Sequence, residues 1–408
     1  MTFLLWPERC SEGAVRKREK GKKMRLLKGL GTTVFALVLA VLLAFSCRCE
    51  VAAESSASES EDALWSEFLE GIPPESLELL PDGALDDQDS FGAAVEEMSG
   101  AEFVLKEIGR VLGLELESAL GLACGICALL VLGAVFSSAG ASIGNGALGS
   151  AVRFCSSGAL FVTVVQSQYS HFEAIERFFG SLGSLMEGMI PITASVWAMG
   201  GNVGTAATGS ASFYLVLEVC NRLFAKSIIP VASVMSVLGL CDAMSDEMRT
   251  GRLLGAVKKI YGFFLGSVMT VLLSSMSAQT AISSAADSTT ARTARLVSGS
   301  VIPVLGGGVG ETLRTVAGGV SYLKSIFGIG GIIMIFLLLL PVGLSVLLTR
   351  LVFLVTGGLA DILGCTSEAR LLENLGEVYG CMLAAISGVA ITFILAFCIF
   401  TQTVVAVA

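Results

Sequence analysis

The sequence predicts an all-α protein: a polytopic membrane helical bundle with two internal repeats and broken or re-entrant segments. Hydrophobic residues make up 54% of the 408 residues and charged residues only 15%, and the mean hydropathy is +0.79. Seven long runs carry no charge, and proline and glycine interrupt several of them. This composition is typical of membrane-spanning helices rather than of soluble domains.

Residues 1–53 have the plan of a basic leader and signal peptide. Lysine and arginine cluster before an apolar run at 30–45, and the small residues 51–53 precede Glu54. A charged region, a hydrophobic region and a small-residue cleavage site are what a secretory signal needs. A retained membrane anchor is the alternative.

Residues 54–117 are predicted to form an acidic, translocated ectodomain. The segment contains many aspartates, glutamates and serines, together with Pro73 and Pro74, a composition that favours partial disorder. The apolar spacing in its later half predicts an amphipathic helix, which would lie against the membrane, a partner or the protein's own body.

Residues 118–408 are predicted to form a multi-pass membrane domain of six to eight spans. Between its uncharged runs, 171–187 has the pattern of an interfacial amphipathic helix, and 188–217 could hold one long span or a re-entrant pair. The uncharged runs are 118–152, 154–170, 188–217, 227–241, 260–286, 326–349 and 378–408.

Two stretches inside this domain are predicted to break their helices. One is 292–310, which contains two arginines, a proline and a glycine triplet; the other surrounds Pro191. Broken backbone exposes groups that hydrocarbon cannot satisfy, so it must be buried in protein or line a wet cavity. The predicted pathway or gate residues are therefore Pro191, Gly200, Gly201, Asn202, Arg292, Arg295, Pro303, Gly306, Gly307 and Gly308.

Three collinear echoes indicate two internal repeats, at about 150–262 and 263–380. Paired repeats with interrupted segments favour a pathway at the repeat interface. The alternative is that apolar sequence of low complexity matches itself. The echoes pair Pro191 with Pro303, Pro230 with Pro341, and Arg252–Gly262 with Arg370–Gly380.

Ionisable residues near membrane depth are a second signal, because their cost usually marks a pathway or a buried pair. Arg292 and Arg295, three residues apart on a predicted helix, are the leading pair. Each charge singly could instead lie at a span end and extend into water. The other candidates are Arg153, Glu187, Glu218, Asp287 and Glu311.

No pattern in the sequence predicts a catalytic, cofactor or metal site. His171 has no nearby partner for a metal site or a serine dyad, and we expect it to be interfacial. The glycine run at 306–310 lacks the Lys-Ser/Thr of a phosphate-binding loop. Cys124 and Cys127 lie in a membrane-length run, where small-residue helix packing is expected. We therefore predict no enzyme activity and no nucleic-acid partner.

Several short stretches in 118–405 carry a family signal. They are Ser137–Gly140, Met189–Ala207, Ala291–Arg295, Ser300–Gly306, Val309–Thr315 and Ser321–Lys324. Together with the plan of signal peptide and acidic ectodomain, they make the chain resemble the stage III sporulation protein AE family of endospore-forming bacteria. The chain departs from that family in its long basic start and in the glycine triplet, where bulkier residues are usual.

This resemblance implies a multi-pass protein of the mother-cell membrane around the forespore. It implies partners from the same transenvelope complex: a cytosolic secretion-type ATPase, ring-forming stage III sporulation proteins, and a forespore membrane protein across the intermembrane space. The family complex is thought to act as a channel or feeding apparatus.

Three hypotheses follow from the sequence and the resemblance. The first is a permease-like subunit whose broken segments line or gate a path. The second is a membrane scaffold without a conduit of its own. The third, independent of the family, is a secondary transporter of a small solute.

Overall fold

The computed structural model describes residues 95, 98–142, 146–199, 210–244, 250–301 and 306–402. Six long helices account for nearly all of this part of the chain, which confirms the predicted all-α fold. They are α1 (Ala101–Ser142), α2 (Gly146–Met199), α3 (Ser210–Met244), α4 (Gly251–Val301), α5 (Gly306–Ile362) and α6 (Thr366–Gln402).

Five of these helices are long and apolar enough to cross a membrane, so the chain is a multi-pass membrane protein. The segments are Glu102–Phe136, Tyr214–Met244, Gly251–Ala278, Gly319–Ile362 and Thr366–Cys398. Five is fewer than the six to eight spans predicted. Among the described residues, the uncharged runs that do not qualify as spans are those of α2, where charged residues between 173 and 187 separate the two apolar stretches.

Helix α2 also corrects two local predictions. It continues through Pro191 to Met199, so the break predicted at this proline is wrong, and 171–187 is part of the same helix rather than a separate element. Near Pro191, Thr193 Oγ1 donates to the carbonyl oxygen of Met189 at 3.0 Å, and the Tyr214 hydroxyl donates to the same oxygen at 3.4 Å. Both contacts reach the Met189 carbonyl, whereas the carbonyl that loses its helical donor at Pro191 is that of Glu187, four residues earlier.

The described residues do not confirm the internal repeat. Between Pro191 and Pro230 the chain passes from α2 to α3, whereas α5 continues unbroken from Gly306 through Pro341. Helix α1 likewise runs across the predicted boundary between 117 and 118. The repeat and the domain limits remain predictions.

Helices α5 and α6 form the centre of the bundle. Of their most apolar segments, 67% and 72% are buried within the protein, against 22% in α1 and 17% in α4. Fully buried aromatic rings, including Phe353, Tyr379 and Phe397, fill the space between α5 and α6. The peripheral helices α1, α3 and α4 instead leave apolar side chains exposed, as lipid-facing helices do.

A tight turn at 363–365 joins the two central helices. Gly364 has a φ of 76°, a conformation that glycine adopts without strain. The N–H of Cys365 donates to the carbonyl of Ala360 at 2.9 Å, and that of Gly364 donates to Asp361 at 3.2 Å. These two bonds provide donors for carbonyls in the last turn of α5. The chain reverses at this turn, and α6 packs along α5.

Gly331 tests how closely α5 and α6 pack. A Cβ at Gly331 would lie 2.6 Å from Cε1 of Phe397, whose side chain is fully buried. In Gly331→Ala we expect overpacking of about 1–3 kcal/mol to outweigh the gain of up to about 1 kcal/mol in helix propensity. The melting temperature of the purified protein in detergent should therefore fall.

Gly358→Ala is the matched control. Gly358 lies on the same helix as Gly331, but a Cβ at Gly358 would have no neighbouring atom within 4 Å. Its melting temperature should stay unchanged or rise. Equal melting temperatures for the two variants would contradict the packing of Phe397 over Gly331.

Candidate functional site

A buried polar cluster lies where α2, α5 and α6 meet, centred on His171. His171 is only 8% exposed. Its Nε2 lies 3.1 Å from Thr349 Oγ1, and its Nδ1 lies 3.4 Å from Ser345 Oγ. Because each hydroxyl can donate or accept, the two suit either tautomer of a neutral imidazole. The two partners lie one turn apart on α5, so they hold the ring in one orientation.

Tyr379 closes the cluster from α6. Its ring meets His171 edge-on at a centroid distance of 5.4 Å and meets Phe353 in the same manner at 5.1 Å. The side chain is fully buried, and its hydroxyl makes no hydrogen bond with the described residues. A buried hydroxyl without a partner is uncommon and calls for an explanation such as a bound molecule or a change of state.

Charged groups border the cluster on its α4 side. The guanidinium of Arg350 lies against Gly380, where a Cβ would be 3.0 Å from Cζ. Only glycine gives Arg350 this space without a shift. Next to it, Lys258 Nζ of α4 lies 3.7 Å from Glu377 Oε2 of α6. The cluster therefore has buried hydroxyl and imidazole groups at its centre and a partly exposed ion pair at its edge.

Further polar contacts connect α2, α3 and α6. Gln168 Nε2 donates to Ser236 Oγ at 2.9 Å between α2 and α3. Asn374 Nδ2 of α6 donates to the carbonyl of Gly239 in α3 at 3.2 Å. Interhelical contacts of this kind hold membrane helices together because lipid offers no competing partner. They position the cluster but give it no reactive group.

Comparison with known proteins identifies the family. A sequence model of a protein family described as stage III sporulation protein AE matches residues 93–404. The chain belongs to the stage III sporulation protein AE family. The resemblance inferred from its short sequence stretches is confirmed.

One curated member of the family is stage III sporulation protein AE of Bacillus subtilis (strain 168), to which the chain is 22% identical over 215 residues. The match covers 53% of this chain and 54% of that protein, so the chain spans about half the length of the curated relative it matches. No solved structure matches the chain.

Only some of the residues predicted to form a pathway are among those that the structure describes. Pro191 lies inside α2. Arg292 and Arg295 lie on α4, and Gly306, Gly307 and Gly308 form the start of α5. Gly200, Gly201, Asn202 and Pro303 lie outside the described residues. The described contacts bring none of these residues together, and their pathway role remains a prediction.

His171 is the functional candidate that the sequence interpretation missed. The sequence analysis placed it at the membrane interface with no nearby partner for a metal site or a serine dyad. In the structure it is buried where α2, α5 and α6 meet, with two hydroxyl contacts to α5. Its partners lie 174 and 178 residues further along the chain, so no local spacing could reveal them.

Replacing Thr349 with valine should destabilise this family member. Thr349→Val keeps the shape of the side chain but leaves Nε2 of the buried His171 without its partner, at a cost of about 1–3 kcal/mol. We expect a lower melting temperature in detergent and recovery in Thr349→Ser, which restores the hydroxyl.

Thr356→Val is the control on the same helix. Thr356 is also buried, but its hydroxyl donates to the Val352 carbonyl of its own helix at 2.7 Å. Removing this hydroxyl therefore leaves no other side chain without a hydrogen-bond partner. A drop in Thr356→Val as large as that in Thr349→Val would show that the His171 contact is not what matters.

Proposed function

We propose that this protein is a non-enzymatic, permease-like membrane subunit of a stage III sporulation complex. Membership of the family supports a role in sporulation, and the five candidate spans support a place in the membrane. The proposed location is the mother-cell membrane around the forespore. The proposed partners are a cytosolic ATPase, ring-forming subunits and a forespore membrane protein.

The observation that carries the permease-like role is the polar cluster around His171. Ionisable side chains are expensive inside a lipid-compatible bundle, and they commonly mark a solute or proton path or a buried pair. Thr349, Arg350 and Tyr379 are all buried within helices of membrane length. A subunit that served only as an anchor would pack more simply with apolar residues.

A scaffold without a conduit is the second candidate, and the start of α5 offers a test that separates the two. In Gly306→Phe, Gly307→Phe or Gly308→Phe, a bulky ring enters the segment predicted to line the path. We expect each variant to lose heat-resistant spores in the native host while the subunit still co-purifies with its complex, because a conduit can be blocked without being dismantled.

Gly358→Phe is the control, since Gly358 is exposed on α5 and has no neighbour within 4 Å. It should sporulate normally. If spores are lost only in those variants that also lose co-purification, the scaffold is the correct function and the conduit is not.

A further inference from the structure

The start of α4 presents two basic side chains to the surroundings of the bundle. Arg252 and Lys259 are both exposed. They lie seven residues apart, which is nearly two full turns, so they share one side of the helix at a separation of about 10 Å along its axis. We call these two residues the α4 basic face. The first acidic residue of α4 is Asp287, so this end of the helix supplies no counter-charge of its own.

Acidic groups that the neighbouring helices bring to this end are already engaged. The carboxylate of Asp242 in α3 accepts from the N–H of Gly251 at 2.6 Å and from Nδ2 of Asn374 at 3.3 Å. The carboxylate of Glu377 in α6 lies 3.7 Å from Nζ of Lys258. Both carboxylates therefore serve partners other than the α4 basic face.

The connection between α3 and α4 does not reverse the balance of charge. It contains Asp246, Glu247 and Arg249, which lie outside the described residues. From 242 to 259 the sequence has three acidic and four basic residues. Among the described residues, neither member of the α4 basic face forms an ion pair. Their charges remain available to a group outside the chain.

Contacts between α4 and α6 show the depth at which this face lies. The side chain of Lys258 lies beside Glu377, and Met269 packs against Gly388. The second contact follows the first by eleven residues on both helices, from 258 to 269 and from 377 to 388. The two helices therefore run in the same direction and keep the same register.

Three helices change from charged to uncharged sequence at one level. Helix α5 runs opposite to α6, because the turn at 363–365 joins them, and Arg350 lies beside Gly380. The uncharged runs that begin at this level are 260–286 in α4, 378–402 in α6 and, read backwards, 349–325 in α5. Each is long enough to cross a hydrocarbon core. The level of Lys258, Arg350 and Glu377 therefore marks one membrane boundary on the α4–α6 side of the bundle.

On the apolar side of this boundary, α4 exposes large hydrophobic side chains. Ile260 is 69% exposed, Phe263 is 78% exposed and Val271 is 67% exposed. Helix α4 packs mainly against α3 and α6, so its outer surface suits lipid. The basic face lies just outside this surface on the same helix. A phospholipid has the same order of parts, with a phosphate headgroup followed by acyl chains, so it fits the helix both by charge and by polarity.

The basic residues also indicate which leaflet this is. Short connections rich in lysine and arginine stay in the cytoplasm, and acidic residues contribute little to that rule. The segment 242–259 fits it with Arg249, Arg252, Lys258 and Lys259. Anionic lipids give the cytoplasmic leaflet its negative surface potential. The charge of the α4 basic face therefore matches the leaflet in which this end of α4 is expected.

We propose that the α4 basic face binds the headgroups of anionic phospholipids in the cytoplasmic leaflet. The guanidinium of Arg252 and the ammonium of Lys259 donate to phosphate oxygens, and Ile260 and Phe263 contact the adjoining acyl chains. Lys259 lies nearest to the hydrocarbon and Arg252 about 10 Å further out. This surface belongs to the single chain, and lipid binding at it does not depend on a place in a sporulation complex.

Lipid binding is the first test, measured by native mass spectrometry of the full-length protein in detergent titrated with phosphatidylglycerol or phosphatidylcholine. The unchanged protein should bind phosphatidylglycerol more tightly. Arg252→Gln and Lys259→Gln should each weaken that binding by about fivefold, and the double variant by about 25-fold, because each basic residue near an anionic surface contributes separately. Binding of phosphatidylcholine should not change.

Arg177→Gln is the control, since Arg177 is an exposed arginine on α2. It should bind phosphatidylglycerol like the unchanged protein. Glycerol 3-phosphate has the phosphate without acyl chains and should not displace the lipid. The proposal fails if the unchanged protein does not prefer phosphatidylglycerol, if the double variant keeps its affinity, if Arg177→Gln weakens binding equally, or if glycerol 3-phosphate competes as well as the lipid.

Depth and sidedness are the second test, made with a maleimide that does not cross membranes. Ala256 lies between the two basic residues and is exposed, whereas Val271 lies in the uncharged run of the same helix. In cells that express the protein, Ala256→Cys should be labelled only after permeabilisation and Val271→Cys in neither condition, as read by mass spectrometry of the labelled peptides. Labelling of Ala256→Cys in intact cells would refute the cytoplasmic leaflet, and equal labelling at both positions would refute the boundary. Spore formation and co-purification are not involved in either test.

Discussion

The bundle depends on one constraint: a polar group that leaves water among apolar helices must find its partner on another helix. His171 meets Thr349, Gln168 meets Ser236, and the Asn221 amide reaches the Phe179 carbonyl. Each contact crosses between two helices, and each is lost if either helix slides by a turn. Apolar packing alone is tolerant of such sliding, so the polar pairs set the helix register.

Helix α2 shows this constraint most clearly. It carries the residues that are least compatible with lipid, and it is the one described helix that does not qualify as a membrane span by length and composition. Its position is nevertheless defined, because hydroxyl, amide and aromatic groups of α3, α5 and α6 receive its polar side chains. On the same helix His171 is buried in the bundle, whereas Glu176 and Glu187 line a cleft between α2 and α3.

The sequence was sufficient for the fold class, because uncharged runs long enough to span a bilayer have few alternatives to helix. It was not sufficient at Pro191, where α2 continues through the proline with Met189, Ile192 and Val196 buried in the bundle. A local pattern does not reveal that packing. The partners of His171 were equally invisible, since they lie on a helix far along the chain. Glu187 and Glu218 could be named from their cost near lipid, but only the antiparallel arrangement of α2 and α3 shows that they share one space.

The length of α5 has a consequence for how the protein meets its neighbours. Its 57 residues extend about 86 Å at 1.5 Å per residue, nearly three times the roughly 30 Å of a hydrocarbon core. The connection to α6 consists only of residues 363–365. Any subunit that docks beyond the lipid headgroups along this rod would have to recognise the flank of a helix, and its footprint would follow a spiral stripe of side chains rather than the tip of a loop.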